Sequence, residues 1–131
     1  MLKFTYTETG LQMERLTQSV EELVALRVIL AMRIGQSLCV EPTTASFLLP
    51  ADLPGVHELE AEARKEAAEA LALCPADAEF VEVSLRGTWI AADPQGAEGV
   101  FVTALCARTE FFVLKCWLEA QTCAFVREVG D

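Results

Sequence analysis

The sequence is poor in residues that do chemistry. Among 131 residues there is one histidine, His57, and no nearby serine or cysteine forms a nucleophile motif with it. His57 therefore reads as a solvent-exposed residue at a helix start. The chain has no G-x-G-x-x-G, no G-x-x-x-x-G-K-S/T and no G-x-S-x-G, which sets aside the nucleotide-binding and hydrolase classes that carry those signatures. The five cysteines (Cys39, Cys74, Cys106, Cys116, Cys123) are odd in number and contain no C-x-x-C pair. Reduced thiols in a cytosolic protein account for them best. With one histidine and scattered thiols there is no zinc spacing, and no acidic loop has the form of a calcium site. No catalytic residue, metal or cofactor is expected.

Basic residues are also scarce, ten against twenty acids, for a net charge of −10. Such a field repels a phosphate backbone and an anionic bilayer, so neither nucleic acid nor membrane is an expected partner. Long apolar runs are missing as well. The longest, residues 20–34, is interrupted by Glu21, Glu22, Arg27 and Arg33 and falls short of the roughly 18 clean residues of a membrane span. No secretory leader is read at the N-terminus. The expectation is a cytoplasmic protein.

What is abundant is apolar bulk. Its share is 53% before glycine is counted, above the roughly 45–50% an average soluble protein reaches with glycine included. The length suits a single domain over residues 1–131. Leu2, Phe4 and Tyr6 alternate with polar residues, as do Leu11 and Met13 beyond Glu8-Thr9-Gly10, which predicts a β-hairpin. Ser19 and Glu22 have the spacing of a capping box before a helix over 20–34 that is apolar nearly all round and so buried on more than one side, either as the central core element or as part core and part dimer interface. Gly35 suits the position just past its end. Two short strands, 38–41 and 45–49, are read on either side of Pro42-Thr43-Thr44. A second helix follows over 56–73, built on Leu59, Ala63, Ala67, Ala70 and Leu71 and ended by Pro75.

Val81, Val83, Leu85 and Trp89 alternate with Glu82, Ser84, Arg86 and Thr88, a strand with one wet face. Gly87 marks a bulge in it, and a return strand over 100–107 closes a hairpin. Residues 110–126 are apolar enough for strand or helix. Their length and the polar stripe Lys115, Glu119, Thr122 favour helix, with Thr109 as cap. The order is hairpin, helix, two strands, helix, hairpin, helix: an α+β fold with a mainly antiparallel sheet and about three helices packed on it.

Four features are candidates for function, one of them the wet face formed by Glu82, Ser84, Arg86 and Thr88, either a solvated sheet face or a polar recognition surface. Arg27 and Arg33 punctuate the most apolar helix and, with Arg86, could grip an anion or a partner, although ordinary pairing or snorkelling explains them too. Phe111, Phe112 and Trp117, with Val113, Leu114, Leu118 and Phe125, carry more bulk than one core stripe needs and are either core alone or core together with an oligomer or partner interface. The stretch 58–82 sets Glu58, Glu60, Glu62, Glu66, Glu69, Asp77, Glu79 and Glu82 against only Arg64 and Lys65. It is either a solvated face or a dock for a basic partner.

The segments Leu48-Leu49-Pro50-Ala51-Asp52-Leu53-Pro54-Gly55, Val81-Glu82-Val83-Ser84-Leu85-Arg86-Gly87-Thr88-Trp89 and Gly99-Val100-Phe101-Val102-Thr103 resemble a group of small uncharacterised cyanobacterial proteins, a likeness that covers most of the chain. The element order is also similar to the class I type III secretion chaperones. That resemblance implies a homodimer that binds extended protein segments, although this chain adds an N-terminal hairpin and has fewer strands between its first two helices. The function expected is a non-enzymatic protein-binding or assembly module, homodimeric, with itself and another protein as partners. The alternative is a sensor of an anionic small molecule, or a small enzyme, with a site between sheet and helices.

Overall fold

The computed structural model describes residues 1–65 and 70–130, with side chains described through residue 121. Its elements are β1 (Leu2–Thr7), β2 (Gly10–Arg15), α1 (Val20–Arg33), β3 (Cys39–Pro50), α2 (Pro54–Lys65), β4 (Leu71–Pro75), β5 (Phe80–Ala91), β6 (Gly99–Val102) and α3 (Ala107–Gly130). The fold is α+β. The sheet runs β2-β1-β6-β5-β3, and β4 also pairs with β5. The chain divides into two compact units, Met1–Ala45 with Arg86–Cys106, and Ser46–Leu85 with Ala107–Asp131.

In the first unit, β1 pairs antiparallel with β2, Phe4 opposite Met13, and with β6, Phe4 opposite Phe101. The alternation read in the sequence is real: Leu2 and Phe4 are buried, and the rings of Phe4 and Phe101 meet edge to face at 5.6 Å. The β5–β6 pairing sets Trp89 opposite Phe101. The other face of β6 carries Val100 and Val102, which pack with Ile90 and Leu23 of α1, surrounded by Met1, Leu16, Val20, Val24 and Leu38.

Both ends of α1 follow from local sequence. Ser19 stands in extended backbone and its hydroxyl accepts the Glu22 amide at 3.2 Å. At the other end Gly35 has φ +77°, with its amide on the Met32 carbonyl and the Gln36 amide on the Ala31 carbonyl at 2.8 Å. These paired bonds form a Schellman motif, which requires a left-handed residue where Gly35 stands.

In the second unit, α2 and α3 run antiparallel. Gly55, Glu58 and Glu62 on α2 meet, in turn, Cys116, Lys115 and Arg108 on α3. Leu53, Val56, Leu59 and Ala63 are buried together with Val113 and Cys116, and Val81, Val83 and Leu85 bury the inner face of this half of β5. Trp117 meets Phe47 edge to face at 5.4 Å.

Several expectations are corrected. The two short strands around Pro42 are one strand, β3; it ends the sheet order, and an edge strand tolerates a residue with no amide to donate. The second helix begins at Pro54, a residue pre-shaped for a first helical position, and Leu71–Pro75 is a strand paired with β5, Leu73 opposite Val83. The helical spacing of Leu59, Ala63, Ala70 and Leu71 concealed the two-residue alternation of Leu71 and Leu73, and pairing with β5 decided the outcome. Ala67, Glu66 and Glu69 lie outside the described residues. The return strand β6 stops at Val102, and α3 begins at Ala107, so that Thr109 is a buried residue of its first turn and not its cap. The side chains of Thr122, Cys123 and Phe125 lie outside those described. At Gly87, a Cβ would fall onto the Val102 carbonyl, so close approach of β6 explains the glycine.

Candidate interaction surface

The first helix is not the central core element: within the chain it is buried along one side. Only Leu23 and Ala31 are buried, while Val20, Val24, Arg27 and Val28 are half-buried. At about 100° per residue these six share one side of α1. The opposite side carries Glu22, Ala25, Leu26, Ile29, Leu30, Met32 and Arg33, all exposed. Leu26, Ile29 and Leu30 are each 46–49% exposed, and Met32 and the capping Ile34 reach 70% and 71%. Leaving so many large aliphatic side chains on one exposed helix face is unfavourable unless something covers them. The all-round apolar sequence of α1 thus resolves into an inner face that meets β6 and an outer face that meets solvent.

The three arginines stand at separate places. Arg27 is half-buried and Arg33 exposed, on different sides of α1, while Arg86 is exposed on β5. Among the described residues none of the three makes an ion pair. A cleft of about 440 Å³ does lie in the second unit, lined by Glu60, Arg64, Leu71, Leu73, Cys74 and Val81 among others, and none of the three arginines reaches it. The wet face of β5 is partly occupied: Ser84 Oγ lies 3.0 Å from Ser46 Oγ, while Glu82 and Arg86 are exposed.

The aromatic cluster on α3 divides. Phe111 is 54% exposed and Leu118, two turns on, 57%, whereas Phe112 and Trp117 are half-buried. Phe112 lies beneath the Arg108 guanidinium at 5.9 Å, and Trp117 is engaged with Phe47. Phe111 and Leu118 form a second, smaller apolar spot.

Sequence reading missed the polar seam between α2 and α3. Glu62, one of the acids assigned to a solvated or docking face, is buried, with Oε1 2.7 Å from Arg108 Nε and 3.7 Å from Lys65 Nζ. Lys115 and Glu58 make a looser exposed pair at 3.6 Å. At the other end of the seam a Cβ on Gly55 would stand 2.9 Å from Cys116 Sγ and 3.5 Å from Glu119 Oε2. That Glu119 oxygen is buried beside the first turn of α2, where the helix dipole favours negative charge. Burial, with Glu119 and Glu58 adding to it and Lys115 opposing, pushes the Cys116 thiol up to about 11. A thiol held protonated in this way is an inert packing group, not a nucleophile.

Among the described residues no three His, Cys, Asp or Glu side chains gather as a metal ion would need, and no helix is long and apolar enough to cross a membrane. No curated protein and no solved structure matches the chain. A family model does, the one described as Alr0857-like, and its match runs over residues 1–121, from β1 through the exposed face of α1 and into α3. The chain therefore belongs to the Alr0857-like family.

Proposed function

We propose that this protein is a non-enzymatic binding or assembly module of the cytosol that works by burying the outer face of α1 against another protein surface. The observation that carries this reading is the set of exposed aliphatic side chains on that face, Leu26, Ile29, Leu30 and Met32, on a helix whose ends are firmly capped. A rigid helix presenting an apolar stripe binds at low entropic cost, because little is left to order on association. The strong negative charge of the chain acts on orientation and encounter more than on affinity.

A photo-crosslinking residue at position 29, introduced into the full-length protein in living cells, tests the reading. It should give an adduct of discrete mass, and the same group at Gln12 on β2 should not. Absence of an adduct from position 29 would sink the proposal. The charged substitution Ile29→Lys should abolish crosslinking from position 26 while leaving the stability of the unassociated chain within about 0.5 kcal/mol, since the side chain is about half exposed there.

A further inference from the structure

The centre line of the exposed α1 face is formed by Glu22, Leu26, Ile29 and Arg33, which are 4, 3 and 4 residues apart. That is the spacing of a seam along which two helices pack knobs into holes. The seam is charged in one sense, acid at its N-terminal end and base at its C-terminal end, with aliphatic residues between. It is also symmetric about a point between Arg27 and Val28. If a second helix of the same sequence is laid on it antiparallel, with a two-fold axis through that point, Glu22 stands level with the partner's Arg33, and Leu26 with the partner's Ile29. Symmetry repeats both pairings. A parallel arrangement would instead bring Glu22 against Glu22 and Arg33 against Arg33.

We infer that the occupant of the α1 face is the α1 helix of a second copy of this chain, packed antiparallel, with two Glu22–Arg33 pairs closing the ends of a Leu26–Ile29 core. This rests on the reading of α1 as the association surface and names its partner. Glu22 and Arg33 are both exposed and among the described residues make no ion pair within their own chain, so both are available. The inference also gives Arg33, which interrupts the most apolar helix, a task that no internal contact among the described residues supplies.

Sedimentation equilibrium of the full chain and its charge-swap variants provides the test. The unmodified protein should dimerise. Glu22→Arg places Arg against Arg at both ends, and Arg33→Glu places Glu against Glu, so each single variant should dimerise at least about tenfold more weakly. An equimolar mixture of the two single variants should form heterodimers, and the double variant E22R/R33E should recover the original affinity. That recovery also shows that the substitutions leave the fold intact. A monomer at the highest soluble concentration overturns the inference, and so does a dimer indifferent to the single swaps or one that the double swap does not restore. In each of those cases an adduct from position 29 with a different protein would leave α1 standing as an association surface. Absence of any adduct would remove that reading as well.

Discussion

Nε of Arg108 lies 2.7 Å from Oε1 of Glu62, a carboxylate whose side chain is only 7% exposed, although the two residues are 46 positions apart. A buried carboxylate that loses its partner keeps its desolvation cost and forfeits the compensating attraction. The Arg108→Ala variant should lose about 1–2 kcal/mol of stability, less than for a fully buried pair because the arginine faces water and Lys65 remains nearby. Urea unfolding would show this, and a double-mutant cycle with Glu62→Gln should be markedly non-additive.

The Val102 backbone and the Phe101 ring both block growth at position 87. A methyl group there would meet the Val102 carbonyl and stand 2.8 Å from Phe101 Cζ, at the end of the β5–β6 pairing where Thr88 faces Val102. The variant Gly87→Ala should cost about 2 kcal/mol or more, at the upper end of ordinary overpacking. A shifted denaturation midpoint with an unchanged far-ultraviolet circular dichroism spectrum would be the signature. Recovery of native stability by this variant would contradict the packing described.

The cysteines should sort by environment. Cys74 and Cys106 are exposed and Cys116 is buried. Iodoacetamide at neutral pH should modify the first two in the native protein and Cys116 only under denaturing conditions, which peptide mass spectrometry would read directly. The thiol of Cys116 also implies an alkaline limit. The unfolded chain releases this proton near the ordinary cysteine value, about 8.5, while the folded chain holds it to about 11. Between those values the unfolded state binds fewer protons, so stability falls as pH rises through that window. Below it this contribution is intact. Replacement by alanine should flatten the alkaline fall in melting temperature, whatever it does to stability at neutral pH.

At the start of α1, Ser19→Ala removes the acceptor of the Glu22 amide. The expected loss is about 1 kcal/mol, with Ser19→Asp close to the unmodified protein. Thermal unfolding of the two variants side by side separates loss of the cap from a general effect of substitution.

Much of the architecture was legible because its causes are local. The alternation through Leu2, Phe4 and Tyr6, the hydroxyl of Ser19, the left-handed Gly35 and the alternation from Val81 to Leu85 each act over a few residues, and each produced the element it implied. The failures arose where a distant partner chose between two local possibilities. Leu71 and Leu73 satisfied helix and strand spacing alike, and β5 selected strand. Pro42 looked like a break until an edge position made it harmless. The candidate surface shows the same division: the excess of apolar residues on α1 could be counted in the sequence, but which of them face outward depends on Val100 and Val102, far along the chain. The Glu62–Arg108 pair carried no local signal at all.

The register that sets Lys3 opposite Val102 joins residues 99 positions apart in the chain. Closing so long a loop carries an entropic cost before the contact rewards it, and sheets built on such pairings fold slowly. During synthesis β1, β2 and α1 leave the ribosome well before β6, so both sides of α1 stay wet until Val100 and Val102 arrive. In that interval the nascent chain offers a wider apolar stripe than the finished molecule does. The proposed self-recognition through the outer face is therefore safest after release, once the inner face has its permanent neighbour.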